Sequence, residues 1–220
     1  MIFNVITIFP DFFTDIFEHG ILKKALDSGK IEINILDLRH FADNKRNQVD
    51  DRPYGGGAGM VLMPEPLSNC IELLKKNYPN QKVIYLTPSG KTFKQEQAEE
   101  FSDDTVLTFI CGRYEGIDQR IIDLYVDQEI SIGDYVLSGG ELPCAVVIDA
   151  VARLIPGVIL NEEFNNSESF SNPEDRQQLD FPVYTRPEEF KGIKVPSVLL
   201  SGNHSHIDHW RSENKRRKNE

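Results

Sequence analysis

The chain has 220 residues, 40% of them hydrophobic, a formal net charge of -11 and three cysteines. That length suits one or two domains with a sizeable core, and the acidic balance argues against non-specific nucleic-acid binding, whose affinity comes chiefly from neutralising phosphates. Cys70, Cys111 and Cys144 are odd in number, widely spaced and free of any C-x-x-C pattern, which suggests neither a disulfide framework nor a cysteine zinc site and fits reduced thiols in the cytosol.

The apolar start from Met1 to Phe9 lacks a basic leader and runs into Pro10-Asp11, so it reads as a first strand and not as a signal peptide. No apolar run is long enough to span a membrane. Strands are expected over 2–9, 31–38, 82–87, 105–111 and 129–132, and helices over 12–26, 66–77, 94–101, 117–125 and 141–155. This alternation implies an α/β domain with a mostly parallel sheet. Ligands of such sheets bind beyond the carboxyl ends of strands, and three expected ends carry glycine: Thr87-Pro-Ser-Gly90, Cys111-Gly-Arg-Tyr-Glu-Gly116 and Gly133. They are expected to converge on one pocket.

The stretch from Glu129 to Pro143 reads as a buried strand, with Ile130, Ile132, Val136 and Leu137 as its apolar residues, running into a tight turn at Gly139-Gly140. Glu141 then opens an apolar helix. Bare backbone here lets a small ligand lie close, although a plain strand-to-helix connection explains the same residues. Residues 39–65 show no clear period and hold Asp50-Asp-Arg-Pro-Tyr-Gly-Gly-Gly-Ala-Gly-Met60, a loop suited to closing over a substrate or, more simply, a flexible hairpin tip. A polar stretch over 161–178 looks like a linker. Beyond it, residues 182–187, 195–202 and a helix starting near Asn203 and carrying Trp210 form a small unit, too short to build much core unaided. Basic candidates for an RNA contact are Arg39 with Lys45, Arg46 and Arg52, and Arg211 with Lys215-Arg-Arg-Lys218; a solvated face is the plainer reading of each.

Two motifs tempt and fail. Ser89-Gly-Lys-Thr92 ends like a phosphate-binding loop, but Tyr85 occupies the position where that motif needs its first glycine. His204-Ser-His206-Ile-Asp208-His209 imitates a zinc-hydrolase signature, yet too few residues follow to supply the downstream ligands.

Taken together, Asp51-Arg-Pro-Tyr-Gly-Gly-Gly-Ala-Gly-Met60, Cys111-Gly-Arg-Tyr-Glu-Gly-Ile-Asp118, Glu129 to Pro143, Arg153-Leu-Ile-Pro-Gly157, Tyr184-Thr-Arg-Pro187 and Leu199-Leu-Ser-Gly-Asn-His204 closely resemble the bacterial tRNA (guanine-N1)-methyltransferases of the TrmD family, in the SPOUT class. The resemblance implies a SPOUT-type, mostly parallel α/β sheet with a deep trefoil knot on the C-terminal side of a domain over 1–160, a linker over 161–180 and a short helical tRNA-contacting domain over 181–220. It further implies a cytoplasmic homodimer with active sites shared between subunits, S-adenosylmethionine as methyl donor and guanosine 37 of tRNA as acceptor. Cofactor contacts carry over to Tyr85, Leu86, Thr87, Pro88 and Gly90, to Gly112, Tyr114 and Glu115, and to Ile132, Gly133, Asp134, Tyr135, Val136, Leu137, Gly139, Gly140 and Pro143. The glycine-rich loop supplies the substrate-binding candidates Asp50, Arg52, Tyr54, Gly55 and Gly59.

Guanine N1 is a poor nucleophile until its proton leaves, so the reaction asks for a carboxylate base and for a donor to the charge that develops on O6. The resemblance assigns the O6 donor to Arg153. Its usual base is an aspartate in an Asp-Ser-Phe segment, and this chain has Glu168-Ser169-Phe170, which makes Glu168 the candidate, with Asp175 and Asp180 behind it. The following residues lack the usual glycine-leucine pattern, and the family normally continues through more helices after the position of Trp210. Magnesium is implied as an assistant, with Glu115 or a nearby carboxylate as its partner. A catalytically idle RNA-binding SPOUT protein, or a SPOUT methyltransferase aimed at another RNA, are the competing readings.

Overall fold

β1 (Ile2–Thr7) shows no polar-apolar alternation: Phe3, Val5 and Ile6 are buried, and so are Asn4 and Thr7 between and beside them. A strand covered on both faces belongs inside a parallel sheet. The structure, a computed structural model that describes residues 1–159 and 168–218, places it there. After β1 come α1 (Gly20–Asp27), β2 (Glu32–Asp37), the two-residue strands β3 (Asp50–Asp51) and β4 (Val61–Leu62), α2 (Pro64–Asn77), β5 (Lys82–Thr92), α3 (Gln95–Ser102), β6 (Val106–Cys111), α4 (Gln119–Tyr125), β7 (Gln128–Ser131) and α5 (Glu141–Ala152). Five strands make one sheet in the order β2-β1-β6-β5-β7, every neighbouring pair parallel. Such pairs need crossover connections, and the helices provide them.

Each face of the sheet has its own core. On one, Phe3, Ile84, Leu107 and Phe109 pack with Leu22 of α1, Phe101 of α3 and Val147, Ile148 and Val151 of α5; on the other, Ile6, Val83 and Ile110 pack with Leu67 and Ile71 of α2 and Ile121 of α4. This is the three-layer α/β arrangement that the alternating elements foretell. Buried Asn4 is satisfied across the sheet, donating to Thr108 Oγ1 at 3.2 Å and accepting from Asn34 Nδ2 at 3.2 Å.

Three expected boundaries move. The helix expected over 12–26 is broken: Pro10–Phe13 forms a 3-10 turn and α1 starts only after His19, whose backbone is extended (φ -134°, ψ 157°). β5 does not stop at Thr87. Leu86 and Lys91 both oppose Ile130 of β7, so residues 87–90 loop out and the strand resumes, which puts Ser89-Gly-Lys-Thr92 in an interrupted strand rather than at the start of a helix. Finally, β7 ends at Ser131, and Val136 and Leu137 lie in exposed irregular backbone, because a segment that crosses to α5 around the sheet edge cannot also pair with it.

The chain divides into two units, Met1–Leu160 and Asn161–Glu220. Residues 161–167 of the expected linker lie outside the described residues. The second unit contains β8 (Gln178–Leu179) paired antiparallel with β11 (Arg216–Arg217), β9 (Glu189–Phe190) paired with β10 (Ile193–Lys194), a single turn α6 (Ser197–Leu200) and α7 (His204–Glu213). It is therefore mixed rather than purely helical. Asn203 caps α7 by accepting from the His206 amide at 3.3 Å, and Trp210 meets the Tyr184 ring edge-on at 6.2 Å. None of its described residues is fully buried. Among the described residues no helix is long and apolar enough to cross a membrane, and no group of three or more His, Cys, Asp or Glu side chains is placed to hold a metal ion.

Candidate functional site

The carboxyl ends of β5, β6 and β7 lie side by side in the sheet, and the backbone beyond them encloses a cavity of about 210 Å³. One wall is Tyr85 to Pro88. A second is Gly112 to Gly116, closed into a turn by the Gly116 amide donating to Arg113 O at 3.0 Å. The third runs from Ile130 to Gly140, with Pro143 behind it.

Local sequence explains why these walls meet. Gly140 donates its amide to Gly112 O at 2.9 Å, and a Cβ there would stand 2.7 Å from the Cα of Cys111, so only glycine allows the start of α5 to press against β6. The Tyr85 ring fills the space beneath Gly112, where a Cβ would come within 2.8 Å of it. Burial pushes the Tyr85 phenol up from its ordinary 10.0, so it stays protonated and acts as a neutral filler. The cavity thus offers main-chain donors and acceptors, aliphatic surface from Leu86, Ile130, Ile132, Leu137 and Pro143, and one carboxylate, Glu115. Mostly apolar walls with a few convergent polar groups are the usual make-up of a small-molecule site.

The residues expected on a cofactor from Tyr85 to Pro88, from Gly112 to Glu115 and from Ile132 to Pro143 line this cavity, with two exceptions. Gly90 sits at the rejoining point of β5, where a Cβ would meet Ile130 N at 2.4 Å, and Asp134 is not on the lining. Arg113, Gly116, Ile130, Ser131 and Ser138, which lie in the expected pocket stretches but are not among the expected cofactor contacts, also line it. Their signal was adjacency, since each sits inside or beside a stretch already singled out.

The glycine-rich loop is the tip of the hairpin made by β3 and β4. Its return arm is stitched to the second wall: Glu115 N donates to Met60 O at 3.0 Å and Leu62 N to Gly116 O at 3.0 Å. Gly59 touches the Glu115 side chain, while Asp50 lies in β3 and Arg52, Tyr54 and Gly55 stand away from the cavity, Tyr54 almost fully exposed. Arg153 ends α5, its amide donating to Asp149 O at 3.3 Å, and does not line the cavity. Glu168 belongs to the second unit. Its carbonyl accepts from Ser171 N at 3.1 Å and Ser171 Oγ at 2.7 Å. In the same unit Ser169 Oγ accepts from Asp180 N at 3.0 Å, and Asp175 forms an ion pair with Arg217 at 3.1 Å.

A family model for tRNA (guanine-1)-methyltransferase TrmD matches residues 1–220. The chain belongs to the TrmD family. Among curated TrmD-type relatives, a tRNA (guanine-N(1)-)-methyltransferase of Treponema denticola is 54% identical over 96% of this chain and 84% of its own length, and one of Clostridioides difficile is 49% identical over 97% and 91%. The solved structure of the tRNA (m1G37) methyltransferase from Aquifex aeolicus superposes with a TM-score of 0.78 at 44% identity, covering 96% of this chain and 87% of that one. TrmD membership fixes the fold class as the SPOUT type of parallel α/β sheet and the enzyme class as methyltransferase.

Proposed function

We propose that this chain transfers a methyl group from S-adenosylmethionine to N1 of guanosine 37 in the anticodon loop of tRNA. The observation that carries the reading is the cavity at three adjacent strand ends, built from segments that all lie within the TrmD match. When bound there, S-adenosylmethionine supplies an electrophilic methyl group on a sulfonium centre.

The residues present fit that donor. Leu86, Ile130, Ile132 and Pro143 give the cavity apolar surface, the main chain along its three walls would meet a purine edge, and the Glu115 carboxylate sets negative charge beside a cation. Glu168 accepts the N1 proton, for which a positioned carboxylate contributes about 10²–10⁴ in rate. Arg153 donates to O6 as charge builds on it. Asp50, Arg52, Tyr54 and Gly55 of the hairpin tip hold the RNA, whose single-stranded loop bases are open to edge contacts. Magnesium as an assistant belongs to the same reading, with Glu115, the one carboxylate on the cavity lining, as the group that would help hold it at the RNA interface.

The reading includes the deep knot. It is supported by the path of the chain, which pairs β7 beyond β5 and then returns to bring Gly140 onto Gly112 at the end of β6. It includes a homodimer as well, supported by α5, whose outward stripe carries half-exposed Leu142 and Val146. A tRNA substrate places the protein in the cytoplasm. The test is transfer of labelled methyl from S-adenosylmethionine to a tRNA transcript carrying G36-G37. Methylation mapped to N1 of G37 is the expected result; no transfer, or undiminished transfer to a transcript with A37, overturns the activity or the position.

A further inference from the structure

Glu141 is 1% exposed, and it is the only acidic side chain among the described residues buried to that degree. A carboxylate at the first turn of α5 has the favourable end of the helix dipole, yet a charge withdrawn from water still needs partners. It has two. Thr7 Oγ1, at the end of β1, donates to Oε1 at 2.8 Å, and Arg113 Nη2 lies 2.9 Å from Oε2. Thr7 Oγ1 in turn accepts from the Phe9 amide at 3.0 Å, the Arg113 guanidinium lies 4.6 Å from the centre of the Phe9 ring, and Arg113 Nη1 donates to Ser138 O at 3.1 Å.

Arg113 therefore joins four pieces of chain: the end of β1, its own segment after β6, the third cavity wall and the start of α5. Between Ser131 and Glu141 that wall has neither helix nor strand to hold its shape. It is tied to the facing wall by the hydrogen bond from the Gly140 amide to Gly112 O, by an isolated antiparallel bridge between Arg113 and Gly139, and by the Arg113 side chain on Ser138. The neighbours of Arg113 on either side, Gly112 and Tyr114, face the cavity, as do Gly139 and Gly140 opposite them.

We propose that the buried Arg113–Glu141 pair is a brace that sets the separation of the two facing cavity walls, with Arg113 as a positioning residue for S-adenosylmethionine. This rests on the cofactor reading given above. A pair kept for stability alone is replaceable, because buried ion pairs exchanged for well-packed apolar groups often leave a protein equally stable. A brace is not, because an apolar side chain has no donor for Ser138 O.

The experiment is calorimetric titration of S-adenosylmethionine into the full-length protein and its variants, with thermal melts of each. Arg113→Met should lower affinity tenfold or more and lower the melting temperature, since it strands the Glu141 carboxylate. Arg113→Met/Glu141→Met should recover most of the melting temperature and little of the affinity, and Arg113→Lys should recover affinity only in part. In methyl transfer the loss should fall on KM for the donor more than on kcat. Recovery of affinity together with melting temperature in the double variant, or unchanged binding by Arg113→Met, overturns the proposal. Should the unmodified protein itself not bind S-adenosylmethionine, the cofactor reading fails, and amide hydrogen exchange over 132–140 then decides the brace: faster exchange in the double variant supports it, equal exchange overturns it.

Discussion

Gly59 of the hairpin arm rests directly on the Glu115 side chain, so closely that a methyl group on its Cα would stand 2.5 Å from Oε1. The hairpin loop and the cavity wall are thereby keyed to each other, and any group added at Gly59 must push Glu115 aside.

Gly59→Ala should therefore cost activity beyond its cost in stability. Gly59 has φ +83°, a conformation that penalises any other residue by about 1–2 kcal/mol. Gly56 has φ +80° with nothing within 4 Å of an added Cβ, so Gly56→Ala carries the same backbone penalty without the collision. Both variants should melt slightly lower, and only Gly59→Ala should lose about tenfold or more in kcat/KM for methyl transfer. Equal losses from both would show that backbone strain, and not Glu115, decides the effect.

The sheet and the cavity were legible because their signals are local. Runs such as Val106 to Cys111 declare a doubly buried strand, and glycines at 112, 116, 133, 139 and 140 mark where backbone approaches backbone. What the sequence hides is pairing at a distance. Nothing in Ser89-Gly90-Lys91 says that β5 leaves β7 and rejoins it opposite the same Ile130, and the partnership of Arg113 with Glu141 spans a separation no periodicity encodes. The strand expected through Val136 and Leu137 fails because apolar β-formers can also line a cavity, as these two do.

Glu168→Gln preserves shape and removes the carboxylate. If Glu168 is the base, methyl transfer should fall by about 10²–10⁴ while S-adenosylmethionine affinity stays unchanged. Glu168→Asp, one methylene shorter, should retain much of the rate. Asp175 is already engaged with Arg217, so Asp175→Asn should disturb the second unit more than the chemistry. Single-turnover rates with saturating donor separate these outcomes, and an active Glu168→Gln would return the role to Asp180.

Alkaline destabilisation should trace to the buried thiols. Burial pushes the Cys70 thiol up from 9.0 to about 12, and Cys111, wholly buried beside Cys144, is raised as well. The raised value means that the folded state keeps a proton which the unfolded chain releases above about pH 9. Stability is then full below that pH and falls as pH rises toward 12, by about 1.4 kcal/mol per pH unit for each such thiol. Urea unfolding at pH 7.5 and pH 10 should show the loss, and Cys70→Ala, less stable at neutral pH for its cavity, should show a shallower decline. A slope unchanged by Cys70→Ala would place the linkage on Cys111 or Tyr85 instead.

α5 is apolar nearly all round, which is unusual for a helix with one face in solvent. Pro143, Cys144, Val147, Ile148 and Val151 account for its inner face, whereas Leu142 at 50% and Val146 at 48% exposure lie one turn apart on the outer one. The 3-10 turn carrying half-exposed Phe12 lies beside α5, which widens the apolar surface. If this surface joins two copies of the chain, Val146→Glu places a charge at the centre of the contact with no buried partner to satisfy it, and the protein should elute as a monomer in size-exclusion chromatography with light scattering. Because Val146 faces away from the core, folding should survive, seen as an unchanged circular dichroism spectrum. Methyl transfer should drop with the dimer, as active sites shared between subunits require both. A monomeric Val146→Glu with full activity would show that one chain completes its own site, and a variant that stays dimeric would move the interface off α5.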